Sequence, residues 1–484
     1  STSILLLLAI HDIQGAGHLS PYSGATVQVK PSIVTAVRSN SFYMQTPDAD
    51  VDGDLATSEG LLVFTSSSPT VSVGDLVSVI GAVTEFYPGG FASNNLSTTE
   101  ITGPSVTKIS SGNPLPAATV VGVGGRIPPQ QVIEDDATGD VNTSGVFDPD
   151  NDGIDFYESL EGMRLQVNDA VASGPTNNFG EISLLGDNGA NASLRTPRGG
   201  IVLQPGDFNP ERIIADDTIV ANPPAMVTGD RFASPLVGVL DYSFGNFKLF
   251  TLGAWPAVVP GGLGQETAAA AAANQLSVAT YNVENLDPNP GDGDDDAAKF
   301  TALGGHILHN LHAPDIIGLE EIQDNTGSAN NGVVDAGQTY AALVAAIQAA
   351  GGPLYDYRDI APLNNEDGGQ PGANIRVGFL FRPDRVTFVD RPGGDATTAT
   401  QVVAGANGPE LTLSPGRIDP TNPAFNADSN LGYEGSRKSL AGEFLFKGQK
   451  VFVIVSHLKS KSQDTPLFGR VQPPNLITEV QRNA

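Results

Sequence analysis

The sequence predicts a multidomain chain in which two β-rich barrels precede a partial α/β sandwich. Three observations carry this expectation. Gly (56) and Pro (35) are abundant while charged residues are only 16%, a balance that suits turn-rich β modules better than helical bundles. Alternating Val, Leu and Ile with Gly punctuation fills the first half. Beyond residue 275, strand-like runs begin to alternate with segments of helical periodicity. The predicted boundaries are 1–112 for the first β domain, 113–260 for the second, 261–275 for an Ala/Gly-rich linker and 276–484 for the α/β part.

The first element is the apolar run Ile4–Ile10, too short to span a bilayer and without the basic flank or small-residue cleavage site of a signal peptide. It is expected to be a buried first strand. A weak internal repeat follows. The pattern of 23–37 leading to 42–45 returns at 161–171 leading to 179–184, and 73–86 parallels 228–242. About five short strands per half suit a small closed barrel. In the last part, 276–283, 315–322, 376–382, 439–446 and 450–457 read as strands. Residues 297–312 read as a helix with Phe300, Leu303, Ile307 and Leu311 on one face, and 339–350 as a helix stopped by Gly351, Gly352 and Pro353.

The charge narrows the function. Lys plus Arg total 25 against 54 Asp plus Glu, a net charge of −29, so the surface as a whole does not attract a polyanion. A nucleic-acid substrate needs a local basic patch or bound cations. The chain has no cysteine, which excludes disulfides and thiolate–metal sites and leaves export open.

Two strands end in polar groups. One runs into Tyr281, Asn282, Val283, Glu284 and Asn285, the other into Leu319, Glu320 and Glu321. A carboxylate at the end of a buried strand, beside an amide from another, suits Mg²⁺, which takes oxygen ligands and often needs only one or two carboxylates plus substrate phosphate. Asp48, Asp50, Asp52, Asp54 and Glu59 fit the D-x-D-x-D-G-x5-E calcium loop, and Asp148, Asp150 and Asp152 repeat its start without the closing Glu. Both are candidate structural Ca²⁺ sites.

Taken together, the 281–286 and 314–321 motifs resemble the endonuclease/exonuclease/phosphatase superfamily, which includes the deoxyribonuclease-I-like enzymes. The resemblance covers residues 276 to 484. It implies that Asn282 and Glu321 hold Mg²⁺ or Mn²⁺, with Glu321 rather than Glu320 as the metal ligand. It also implies a phosphate-contacting role for Arg437, in the run 433–438, and a catalytic one for His457, in the run 455–461. Lys459 and Lys461 add the positive field that the acidic chain otherwise lacks. Residues 13–24, 42–45, 57–60 and 156–163 resemble the OB-fold modules that precede bacterial extracellular nuclease domains, which makes the two β domains OB-like. The implied function is a secreted or cell-surface bacterial nuclease hydrolysing extracellular DNA, and RNA as a further substrate. The alternatives are a phosphatase or other phosphodiesterase of the same superfamily, and a non-catalytic extracellular binding protein. The superfamily's Gly-Asp-x-Asn and Ser-Asp-His segments do not occur after His457, so this chain is expected to be inactive or nearly so, with self-association or surface docking as a further expectation.

Overall fold

The computed structural model describes residues 5–291, 296–366, 370–422, 437–458 and 464–478. The chain divides into two units, 1–263 with 464–475, and 264–463 with 476–484. The first unit thus contains both β modules and a segment from far along the sequence.

The first module has β1 (Leu6–Leu8), α1 (Ile10–Gln14), β2 (Thr26–Val37), β3 (Ser41–Gln45), β4 (Gly60–Phe64), β5 (Leu76–Phe86) and β6 (Thr98–Ser110). The strands pair in the order β1-β2-β3-β4-β6-β5, and β5 also pairs with β2, so the ladder from β2 onward returns to β2 with β1 outside it. Alternate side chains of β5 (Val77, Val79, Val83) join Val27, Val29, Phe42, Leu61 and Ile101 in one core, as a period-two strand pattern requires. The first strand differs from expectation. It forms, but it is a parallel edge strand on β2 with Leu6 47% and Leu7 54% exposed. The buried apolar residues lie just beyond it, at Ala9, Ile10 and Ile13.

The second module has β7 (Thr119–Val121), β8 (Gly139–Asp140), α2 (Gly153–Glu158), β9 (Arg164–Val167), β10 (Val171–Ala172), β11 (Ile182–Leu185), β12 (Ile213–Asp216), β13 (Arg231–Phe232), β14 (Leu236–Ser243), β15 (Asn246–Thr251) and β16 (Val258–Val259). Nine strands, rather than about five, run in the order β16-β13-β10-β11-β12-β15-β14-β9-β7, and among the described residues no pairing joins the two ends. The remaining strand, β8, pairs instead with the returning segment. The core gathers Phe156, Tyr157, Leu165, Leu184, Leu240, Phe247 and Leu249, and includes Phe468 of that segment. Tyr242 donates to the Phe468 carbonyl at 2.6 Å.

The second unit is layered. One sheet runs β17 (Val278–Leu286), β18 (Ile316–Ile322), β20 (Arg376–Phe381), β19 (Asp356–Asp359), with β17 parallel to β18. α3 (Asp296–Gly305) and α4 (Gly337–Ala349) cover one face through Phe300, Leu303, Tyr340, Leu343 and Ile347. The helix expected over 297–312 changes at His306 into a π turn over His306–Asn310. The other face packs on a second sheet of β21 (Thr387–Phe388), β24 (Gly416–Arg417), β25 (Leu440–Phe446) and β26 (Gln449–Val455). A separate hairpin pairs β22 (Val402–Gly405) with β23 (Gly408–Leu411). Phe379, Phe381, Phe388 and Phe444 fill the space between the sheets, the Phe388–Phe444 pair edge-to-face at 4.9 Å. Gly318 of β18 is needed there, because a Cβ at that position would meet Val455 of β26 at 2.9 Å. The close approach of these strands brings the end of β26 to the end of β18.

The Ala-rich run at 264–274 is exposed and carries no helix or strand. A short strand β27 (Val471–Gln472) pairs antiparallel with β8. No described helix is long and apolar enough to cross a membrane.

Candidate metal and phosphate site

The site lies where β17 and β18 lose their regular register. Up to Asn282, which pairs with Glu320, the ladder is in step; it shifts before Leu286 and Ile322. In the bulged stretch Glu284 (φ 56°), Asn285 (φ 54°) and Glu321 (φ 63°) adopt left-handed backbone. That conformation costs an L-residue about 1–2 kcal/mol and concentrates where a side chain must be re-aimed. Here the re-aimed group is the Glu321 carboxylate. Asn282 Nδ2 donates to its Oε1 at 2.8 Å, and the Asn285 backbone N–H donates to its Oε2 at 3.1 Å. The neighbouring Glu320 turns instead to the Thr280 hydroxyl, 2.9 Å away.

The second sheet supplies the cationic side. His457 Nε2 is 3.3 Å from Glu321 Oε1. Arg437 Nε donates to His457 Nδ1 at 2.9 Å, and its Nη2 lies 2.7 Å from Nε2, so the guanidinium lies along both ring nitrogens. Nε2 thus lies between a donor-only guanidinium and an acceptor-only carboxylate. The His457 hydrogen bond, ahead of the opposing effect of burial, together with Asn282 and the charge of Arg437, holds the Glu321 carboxyl down at about 2. It is therefore ionised throughout the neutral range.

The four residues expected from sequence, Asn282, Glu321, Arg437 and His457, are thus brought together. Lys459 and Lys461 lie outside the described residues. Two supporting residues had no role in the sequence reading. Asn285 places its backbone N–H on Glu321 while its own Oδ1 is buried without a hydrogen-bond partner. Arg417, fully buried in β24, donates to the carbonyls of Lys438 (2.5 Å) and Ile360 (2.6 Å), which fixes the backbone beside Arg437. Neither role had a signal in sequence, because Asn285 acts through its backbone N–H and the partners of Arg417 are backbone carbonyls distant along the chain.

The donor set fits a divalent cation: an ionised carboxylate, an adjacent amide and the orphaned Asn285 oxygen are hard oxygen groups of the kind Mg²⁺ takes.

The two acidic loops differ. In the loop from Asp48 to Glu59 the protein's own donors satisfy most carboxylates. Asp48 accepts from the Ala117 N–H at 3.0 and 3.2 Å, Asp54 from Ala56, and Asp52 from Asp54 and Thr57. Asp50 is exposed, and Glu59 meets His11 Nδ1 at 3.0 Å. Asp52, Glu59 and His11 come together, while Asp48, Asp50 and Asp54 belong to no such group. In the second loop Asp150 is exposed, but Asp148 and Asp152 converge with Asp155, and Asp152 also with Glu134 and Asp136. Asp152 is fully buried and neither of its oxygens has a partner. Burial first, then the nearby Glu134 and Asp148, pushes its carboxyl up to about 8.

Residues 120–260 match a family described as "Domain of unknown function (DUF8508)". No curated protein matches the chain. Among solved structures, a humanized TDP2 of D. rerio carrying 14 mutations is similar at 18% identity and a TM-score of 0.21, over 39% of this chain and 52% of that one. D. rerio TDP2 complexed with a single-strand DNA product is similar at 18% identity and a TM-score of 0.20, over 39% of this chain and 47% of that one. The chain spans about half the length of these proteins.

Proposed function

We propose that the second unit is a divalent-metal-dependent phosphodiesterase site acting on nucleic acid, with DNA as the preferred substrate, in a secreted bacterial protein. The observation that carries the reading is the convergence of Glu321 and Asn282 from one sheet with Arg437 and His457 from the other. A hard divalent cation held by Glu321, when bound, supplies Lewis-acid polarisation of the phosphoryl oxygen. The chain's own groups do the rest. Arg437 offers a planar fork of donors to two non-bridging oxygens. His457 places its imidazole beside them. Asn282 holds the Glu321 carboxylate in place through its amide. Mixed positive and negative groups at one sheet junction solve the problem set by a net charge of −29, because attraction for phosphate is confined to the site. The closed ladder of the first module supports its reading as an OB-like barrel acting as a spacer or docking domain.

The experiment is binding of a short single-stranded DNA, followed by fluorescence anisotropy in Mn²⁺ and in EDTA. The protein should bind more tightly with Mn²⁺ than with EDTA. Glu321→Gln should lose that difference, and an unchanged Mn²⁺ effect in the variant would sink the assignment. Plasmid nicking and p-nitrophenyl phosphate hydrolysis, run in parallel, separate phosphodiesterase from phosphatase activity.

A further inference from the structure

The loop entering α2 is built as though a charge were missing from it. Asp152 is wholly buried with both carboxylate oxygens unpartnered, and Asp148 Oδ1 is also buried without a partner. Ligand-capable atoms of Asp148, Asp152 and Asp155 lie within 4.8 Å of one another, as do those of Glu134, Asp136 and Asp152. Among the described residues, no Lys or Arg forms an ion pair with any of these carboxylates. The one counter-group is His18, whose Nε2 is 2.9 Å from Asp155 Oδ1.

Local donors organise the cluster but do not neutralise it. The Asp148 N–H donates to Asp155 Oδ2 at 2.7 Å, and Asn151 Nδ2 to Asp148 Oδ2 at 2.9 Å. Glu134 Oε1 accepts from the N–H groups of Asp136 and Ala137. Those bonds leave Asp148 Oδ1 and both oxygens of Asp152 without a donor. Burying several carboxylates without a compensating cation is strongly unfavourable.

We propose that Glu134, Asp148, Asp152 and Asp155 bind one Ca²⁺ ion in the first unit. Ca²⁺ takes six to eight oxygens at about 2.3–2.6 Å, so ligands around one ion sit no more than about 5 Å apart. Asp148, Asp152 and Asp155 meet that requirement as one group, and Glu134 meets it with Asp152 in a second group that shares Asp152. All-carboxylate donors favour a hard cation over Zn²⁺, and the flexible spacing favours Ca²⁺ over the octahedral demands of Mg²⁺. His18 stands at the edge of the same cluster, its ring nitrogen within 4.8 Å of ligand atoms of Glu134 and Asp155, as the single imidazole among carboxylates. The ion would order the segment between β7 and α2, whose one strand is β8. That strand receives the returning segment: β27 pairs with it, Arg470 forms an ion pair with Asp140, and the Val141 N–H donates to the Arg470 carbonyl at 2.9 Å. Calcium would thereby tighten the docking of 464–475 within its own unit.

The test is thermal unfolding and calorimetry of the full chain, stripped with EDTA and titrated with CaCl₂. Ca²⁺ at about 100-fold excess over Kd should raise the first unit's Tm by roughly 5 °C or more, with one equivalent of heat at this site. Asp152→Asn keeps the shape and cannot ionise to meet a cation, so it should fold at least as stably without calcium yet lose the shift. Glu134→Gln should weaken it. Glu321→Gln and Asp52→Asn should retain it, which separates this site from the metal and phosphate site and from the 48–59 loop. A calcium shift undiminished in Asp152→Asn, no calcium heat in the parent, or an equal response to Mg²⁺ would each overturn the proposal.

Discussion

Glu321 is the residue on which the account of the second unit turns. Its carboxyl is depressed to about 2, first by the His457 hydrogen bond, so its folded-state value lies below the unfolded one of about 4.3. The sign follows from linkage: its stabilisation is complete above the unfolded value and is lost as pH falls through the folded value near 2. Metal-dependent DNA binding should therefore show no loss attributable to this group between pH 8 and 6. A midpoint within that window in the anisotropy assay would contradict the assignment. Arg437 makes a second prediction. Its planar fork is not reproduced by an ammonium, so Arg437→Lys should weaken Mn²⁺-dependent binding of single-stranded DNA by roughly 10-fold with a smaller effect on metal affinity. Equal losses in both would assign Arg437 a purely structural role.

At the scale of elements, the strand-end motifs were legible in sequence because the chemistry is local. An apolar run ending in Asn282 or Glu321 announces both the strand and its exit. The bulge that turns Glu321 and not Glu320 toward Asn282 was not legible, since it depends on the register between β17 and β18. The α-helix ends at Gly305, short of the 297–312 that periodicity predicts, for a related reason: periodicity does not distinguish an α turn from the π turn at His306–Asn310. Turn chemistry sets the approach of β26. Lys447 (φ 51°) and Gly448 (φ 78°) form the two-residue connection between β25 and β26, the backbone of a type I′ hairpin. A Cβ at Gly448 would meet nothing, so Gly448→Ala tests backbone conformation alone. It should cost about 1 kcal/mol by denaturant unfolding, and Lys447→Asn should recover a few tenths. No cost from Gly448→Ala would show that the hairpin does not hold this turn in solution.

For the whole molecule, sequence indicated β modules followed by an α/β unit but not how the chain is shared between units. Nothing in 464–475 names Asp140 or Tyr242 as partners, yet Phe468 is core and β27 completes a ladder with β8. The acidic cluster was half legible: Asp148 and Asp152 belong to a recognisable motif, while Glu134, Asp155 and His18 arrive only through folding. The first unit also carries strained acids. Burial, then the charge of Asp241, pushes Glu100 up to about 7 at the wall of a cavity of about 730 Å³ shared with Arg38, Phe86 and Phe244. A raised acid stabilises fully below its unfolded value and loses that contribution as pH rises through the folded one. The first unit's Tm should thus fall between pH 5 and 8, and Glu100→Gln should flatten the profile; an unchanged slope would refute the assignment of Glu100. The central claim, that Glu321 anchors a divalent cation for phosphodiester chemistry, is tested most directly by counting bound Mn²⁺ with electron paramagnetic resonance. The account predicts that Glu321→Gln loses one equivalent relative to the parent protein. An identical Mn²⁺ count in the two proteins would contradict it.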